Sequence, residues 1–380
     1  MPSRSTLRGP SMGEYQCYEF IALDRPLSSK DMAALRAVST RAEITATRFW
    51  NEYHWGSLKA DPAELVARYF DAHLYFANWG THRLMLRVPA KRVDGKALRK
   101  YFVGSAAYAK TAGEHLVVNL HSEVEEFDDY EENPGTLAAL VPLRAELMRG
   151  DLRVAYVAWL LAVQADDVSD DDIEPPVPPG LSALTASQAA LVDFLRIDED
   201  LLAAAATASA ADSDDDEAVR TWAMALSPRA KDQWLSRAID SPDLAIGAEL
   251  RRSFRSERKA AHPPRRRVAE LRASAEEMRE RRQRAERLAR ERARKAAEAA
   301  KHRRLDALVP RLDSAWRELE ATIAKKDYDA ATKLARDLRD LSKRDGADAL
   351  FTKSFEEMRK RQRRRRGFFD RWKHENEQRP

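Results

Sequence analysis

The sequence predicts an α+β N-terminal domain followed by a mostly α-helical C-terminal half with one long exposed charged helix. Three observations carry this reading. Aromatic-rich runs with strand alternation fill the first 120 residues, helical spacing dominates beyond the acidic stretch HSEVEEFDDYEENPG, and residues 266–307 are rich in Arg, Glu and Ala but nearly free of large apolar side chains. A hydrophobic fraction of 44% suffices for an ordinary core, while a charged fraction of 34% requires that part of the chain be solvated.

Residues 1–14 are expected to be disordered, and the α+β domain to span 15–165. YQCYEFIAL has strand character, and SSKDMAALRAVS has a serine cap followed by Met32, Leu35 and Val38 at helical spacing. ITATRFWNEYHW reads as a second strand, and DPAELVARYF as a short helix capped by Asp61 with Pro62 at its first position. AHLYFANWG and HRLMLRVPA form a hairpin across residues 78–81, and EHLVVNLH is a further strand. Strands interleaved with a few helices fit a ferredoxin-like sandwich best. TLAALVPLRAELMRGDLRVAYVAWLLAVQA reads as two helices broken near Gly150, with Leu152, Tyr156, Trp159, Leu160 and Val163 on an apolar stripe.

DDVSDDDIEPPVPPG, within 166–180, has the composition of an acidic, proline-rich linker. A helical region is expected over 181–250, a basic linker over 251–265, and a long charged helix over 266–307. Val268, Leu271, Ala275 and Met278 give that helix a short heptad seam, a coiled-coil feature that would suit a weak two-chain contact. Glu277 with Arg281, Glu280 with Arg284, Glu286 with Arg290 and Glu291 with Lys295 are favourable i,i+4 pairs, each contributing about 0.2–0.5 kcal/mol. At 1.5 Å per residue it would be a rod of roughly 60 Å. Pro310 ends it. Residues 311–362 are read as a helical hairpin bundle and 363–380 as a basic tail.

Charge is unevenly distributed. Residues 251–380 hold about 41 Lys and Arg against 23 Asp and Glu, whereas residues 1–250 hold about 25 against 39, although the whole chain is only +4. An acidic front and a basic back suit either internal pairing or an acidic partner such as nucleic acid. Cys17 is the only cysteine, which leaves no intrachain disulfide and no thiolate zinc site, and points to a reducing, cytoplasmic setting. No run of 18 apolar residues and no N-terminal apolar h-region is present, so neither a membrane span nor a signal peptide is expected. The common phosphate-loop, dinucleotide, zinc-hydrolase, serine-hydrolase and C-x-x-C signatures are missing, and no cofactor or metal is expected. His121 and Glu123 form an H-x-E, the start of a zinc deaminase signature, but its P-C-x-x-C half needs two cysteines.

The stretch FWNEYHWG, residues 49–56, concentrates chemistry. On a strand Glu52 and His54 share one face, and two elements later Asp71, His73 and Tyr75 share a face. Were those strands neighbours, two carboxylates and two imidazoles would converge in a set that suits zinc, iron or acid–base work. Hydrogen-bonded structural pairs on a half-buried sheet are the simpler reading. A partner-binding surface using Tyr53, Trp55 and Trp79 stands between the two.

Two basic segments, 251–267 and 359–373, place arginine beside aromatic residues, Phe254 in the first and Phe368, Phe369 and Trp372 in the second. Arg265, Arg266, Arg267, Arg363, Arg364, Arg365 and Arg366 are the candidate phosphate contacts of DNA or RNA, and Phe368, Phe369 and Trp372 the candidate stacking or docking anchors. The bland alternative is that these arginines pair with the protein's own acidic tracts at 166–174 and 212–217.

EYQCYEFIALDRPL, NEYHWG, FDAHLYFANWG and EPPVPPGL resemble a group of uncharacterised bacterial proteins over roughly the first 200 residues, a resemblance that implies no mechanism. AWRELEATIAKKDYDAATKLARDLRDL looks like a helical segment of bacterial SWIM zinc-finger proteins, whose zinc-binding cysteines have no counterpart here. Together these readings lead to a non-enzymatic bacterial interaction or scaffold protein. Its acidic front would bind a protein partner and its basic back nucleic acid or a second partner, its oligomeric state being left open. The alternative is a metal-dependent or acid–base enzyme using Glu52, His54, Asp71 and His73.

Overall fold

The computed structural model describes residues 14–123, 137–210, 216–240, 246–257 and 265–377. The expected disordered residues 1–13, most of the acidic loop and part of the second acidic tract lie outside the described residues. The chain divides into two compact units, Met1–Glu280 and Arg281–Pro380.

The first unit is built on a seven-stranded antiparallel sheet of order β2-β3-β1-β4-β5-β7-β6. Its strands are β1 (Gln16–Ile21), β2 (Glu43–Ile44), β3 (Arg48–Tyr53), β4 (Ala72–Ala77), β5 (Thr81–Pro89), β6 (Ala107–Ala112) and β7 (His115–Glu123). With α1 (Ser29–Val38) and α2 (Pro62–Arg68), the first six elements run βαββαβ in the strand order β2-β3-β1-β4, the ferredoxin-like arrangement. Three more strands extend it beyond β4. Local chemistry sets these elements: Ser28 and Asp31 form a reciprocal capping box for α1, and Asp61 caps α2 ahead of Pro62. Gly113, at φ +58°, turns β6 back into β7, a conformation that a side chain would resist.

Alternation along the strands gives the sheet two buried faces. Tyr18, Phe20, Phe49, Met85 and Val117 pack under Leu35 of α1 and Leu65 and Val66 of α2. Cys17, Leu74, Phe76, Leu84, Leu86, Val118 and Leu120 face a larger helical layer. That layer comprises α3 (Gly95–Leu98), α4 (Leu137–Leu140), α5 (Pro142–Met148), α6 (Arg153–Gln164), α7 (Ala186–Phe194) and α8 (Glu199–Ala206). Every residue of α6 from Val154 to Val163 is buried, so the expected stripe is a wholly enclosed helix. The three helices α9 (Asp216–Ala225), α10 (Pro228–Asp240) and α11 (Ile246–Glu257) follow. Residues 251–257, expected in a basic linker, belong to α11, where Phe254 is buried against Trp222.

Part of the expected linker at 166–180 is packed structure. Val168, Glu174 and Leu181 are buried, and Ile173 bridges to Arg267. The helix α12 (Val268–Asp306) has 39 residues, about 58 Å, and the division between units falls within it. Its heptad seam is consumed inside the chain: Val268, Leu271, Ala275 and Met278 belong to the core of the first unit. The second unit folds α13 (Leu312–Ala324), α14 (Tyr328–Arg344), α15 (Asp348–Arg361) and α16 (Arg366–Glu377) around Leu305, Leu308, Leu319, Ile323, Leu338 and Met358. Residues 366–377, within the expected basic tail, thus form a helix packed on this core. No helix among the described residues is long and apolar enough to cross a membrane.

Asp71 ties the layers of the first unit together. Its side chain is about 1% exposed, accepts from the backbone N–H groups of Leu23 (2.7 Å) and Asp24 (2.9 Å), and meets Arg87 at 2.8 Å, with Arg144 of α5 at 3.7 Å. Burial pushes this carboxyl up, but the N–H groups of Asp24 and Leu23 and the Arg87 guanidinium outweigh it and hold the group below the usual carboxylate range. Its contribution is present above the unfolded-state value of about 3.9 and disappears as pH falls through the lower folded value. Asp71→Asn should cost about 3 kcal/mol by urea unfolding at pH 7, and this difference from the parent chain should shrink in acid; an unchanged midpoint would show that the hub is not stabilising.

Candidate functional site: a cationic helical surface and the sheet residues

The structure does not bring Glu52, His54, Asp71 and His73 together. Glu52 pairs with Cys17 on the face beneath α4–α8, and His54 follows it at alternate spacing. His73 pairs with Phe20 on the opposite face, beneath α1 and α2, and Asp71 precedes it at the same spacing. Glu52 and His54 are exposed, whereas Asp71 and His73 are fully buried. The His73 ring stacks on Phe20 at 3.9 Å, and its Nδ1 lies 2.9 Å from the Glu19 carbonyl, to which it donates. Burial lowers its pKa to about 3, so the ring is neutral at neutral pH. Among the described residues no group of three or more His, Cys, Asp or Glu side chains is placed to hold a metal ion.

The three proposed partner aromatics of the front do gather at one end of the sheet. Tyr53 is half-buried edge-on to Tyr18 at 5.8 Å, while Trp55 is 74% and Trp79 39% exposed. Reciprocal bonds between Tyr15 and Asn78, both 2.9 Å, and a 2.6 Å bond from Gln16 Nε2 to the Gly56 carbonyl hold the two loops that carry the tryptophans.

Arg265, Arg266 and Arg267 meet different fates. Arg265 is exposed. Arg266 is a structural cation: its Nε lies 2.6 Å and its Nη2 3.1 Å from the two oxygens of Glu174, which is 3% exposed, and its Nη1 donates to the Ala204 carbonyl. The Tyr156 hydroxyl donates to the same carboxylate, and that neighbourhood raises the tyrosine pKa well above its ordinary value, burial being the larger cause. Arg267 reaches Asp171 at 3.0 Å, and Arg272 reaches Asp166 at 2.6 Å and Asp170 at 3.2 Å. The acidic tract at 166–174 therefore pairs with Arg266, Arg267 and Arg272, which is the bland alternative for Arg266 and Arg267.

The second unit differs. It carries 31 Lys and Arg against 18 Asp and Glu, a surplus of 13. Residues 283–304 of α12 are exposed on every face. Some of their charges are paired: Lys295 with Glu291 at 2.7 Å as expected, Arg282 with Glu286 at 3.3 Å, Lys301 with Asp340 and Arg304 with Asp337. Arg284, Arg287, Arg290, Arg292, Arg294 and Arg303 have no ion pair among the described residues, and neither do Arg363, Arg364, Arg365 and Arg366. A cleft of about 290 Å³ within this unit is lined by Arg304, Lys333, Arg336 and Arg371 against Asp329 and Asp337.

The aromatic residues beside Arg363–Arg366 are not displayed for stacking. Phe368 is fully buried, and Phe369 and Trp372 pack against the same core, with Trp372 5.2 Å from Phe355. Arg339 lies over the Trp372 ring and Arg359 over Phe369. The 3.6-residue period explains this: Phe368 and Trp372 fall one turn apart on the inner face of α16. No family model, curated protein or solved structure matches this chain. Function is therefore read from the geometry of the chain itself.

Two substitution pairs distinguish structural from displayed groups. Arg266→Ala should lose about 3–5 kcal/mol by leaving Glu174 buried without its cation, whereas Arg265→Ala should stay within about 0.5 kcal/mol of the parent chain; equal unfolding midpoints would refute the assignment. Likewise Phe368→Ala should cost about 3–5 kcal/mol and Trp55→Ala about 0.5 kcal/mol or less, as read by thermal or denaturant unfolding.

Proposed function

We propose that the protein is a non-enzymatic interaction protein whose basic helical unit binds nucleic acid through its phosphates, with the acidic α+β unit docking a protein partner. One observation carries the nucleic-acid part: ten arginines on the second unit, six along α12 and four at 363–366, stand without a carboxylate partner among the described residues. Arginine neutralises phosphate bidentately, and such contacts release condensed counterions, so affinity is steep in salt and weak in sequence preference. With Phe368, Phe369 and Trp372 committed to the core, backbone contact is favoured over base stacking, which removes the reason to prefer single strands. The exposure of Trp55 and Trp79 on adjacent loops supports the front as the partner-docking end, because exposed aromatic clusters are enriched at interfaces.

The test is a salt series of the full-length chain with short double-stranded and single-stranded DNA and RNA, beside a variant with Arg363, Arg364, Arg365 and Arg366 all changed to Glu. Affinity should fall linearly with salt in a log–log plot, and the variant's slope should flatten by about 0.9 for each duplex phosphate that is no longer neutralised. Absent binding at low salt, or a slope identical in the variant, would overturn the proposal.

A further inference from the structure

A polar band crosses the sheet beside the α1–α2 core. The register places Tyr18 between Asn51 and Tyr75, Tyr75 opposite Arg83, and Arg83 opposite His121, so five strands contribute one row on one face. The next row on that face is Phe20, His73, Met85 and Asn119. The hydroxyls of Tyr18 and Tyr75 both donate to Gln16 Oε1, at 2.9 and 3.1 Å, which fixes the band's near end.

Its centre is Arg83. The register sets it directly between Tyr75 and His121. The buried and half-buried arginines Arg87, Arg144 and Arg266 of this unit each have a carboxylate. Arg83 has none among the described residues, and its buried Nε finds no acceptor. Asn119 is 1% exposed, and neither its amide nitrogen nor its amide oxygen has a hydrogen-bond partner. An unmet buried polar group is destabilising, so a band holding an unpaired guanidinium Nε and an unpaired amide is costly as a purely structural surface. Its outer members, Tyr75, Arg83 and His121, are only half-buried and reach solvent.

We propose that this band is a binding site for a small oxyanion, a carboxylate or phosphate group, seated on the Arg83 guanidinium, with the Asn119 amide supplying a further hydrogen-bonding group and His121 at its rim. The chemistry follows from the donors. A guanidinium presents its N–H groups in a fork that matches two oxygens of either anion, and a buried amide offers the N–H donors of its nitrogen to an anion's oxygen. The site lies wholly in the first unit and is independent of polyanion binding by the second.

A local readout keeps the two separate. The imidazole resonances of the full-length chain, with His121 assigned through His121→Gln, are followed against pH with inorganic phosphate and, separately, with succinate, at constant ionic strength. Burial and Arg83 lower the pKa of His121 while Glu123 opposes them. An anion on Arg83 should therefore raise its midpoint by about half a pH unit or more. A saturable response to phosphate alone, to succinate alone, or to both supports the site and names the oxyanion. Arg83→Gln should weaken that response at least tenfold. Should this variant fail to fold, the isosteric Asn119→Asp, which sets a negative charge in the site, should do the same. No saturable response of His121 to either anion, or a response unchanged in a folded variant, would overturn the proposal.

Discussion

A carboxylate that is nearly inaccessible to water needs a cation or hydrogen-bond donors beside it, and Glu174 obtains its cation from Arg266, 92 residues further along the chain. Much follows from this pair. It brings residues 166–180 against 265–268, allows the Ile173–Arg267 bridge, and seats Val268 and Leu271 in the core at the very start of α12. Arg272 then reaches Asp166 and Asp170, and Arg279 reaches Asp198 at 2.5 Å, so the first turns of the helix commit their arginines to the body. The partly exposed pairs contribute little individually; the buried one sets the register.

Charge is thereby sorted along one helix. Before residue 280 the arginines of α12 are matched by acidic residues of its own unit, while from Arg284 to Arg303 no arginine has an ion pair among the described residues. The 39-residue helix survives this because Ala, Arg, Lys and Glu are strong helix formers and a few pairs such as Glu291 with Lys295 offset repulsion. Like charges held on a helix in solvent repel one another and set up a positive potential along it. The first unit makes the opposite use of charge, locking Asp71, Arg87, Arg144, Glu174 and Arg266 into buried networks that define its layers.

Much of this was legible in the residues. Ser28 with Asp31, Asp61 with Pro62, and the turn at residues 78–81 announced α1, α2 and the β4–β5 hairpin through local chemistry, and the ferredoxin-like order followed from their succession. What failed was long-range. Composition marked 166–180 as a linker because proline and aspartate oppose helices and strands, yet irregular chain can still be packed when a buried ion pair holds it. β6, with the weak strand sequence AYAKTA, exists only by pairing with β7. Period-two logic grouped Glu52 with His54 and Asp71 with His73 correctly, but which face each pair takes depends on register between strands, and β1 sets them on opposite sides. The row through Arg83 needs the same information across five strands, so HRLMLR and the H-x-E at His121 gave no hint of it. The aromatic residues beside Arg363–Arg366 suggested stacking because adjacency in sequence conceals that one side of α16 is core.

The most direct test of this sorting is arginine-specific chemical modification of the full-length chain, read residue by residue by mass spectrometry with and without a short duplex. Arg266 and Arg87 should resist modification, Arg284–Arg294 and Arg363–Arg366 should react readily, and nucleic acid should protect the reactive set alone. Uniform reactivity, or protection that appears first at residues 265–267, would contradict the sorting of charge between the two units.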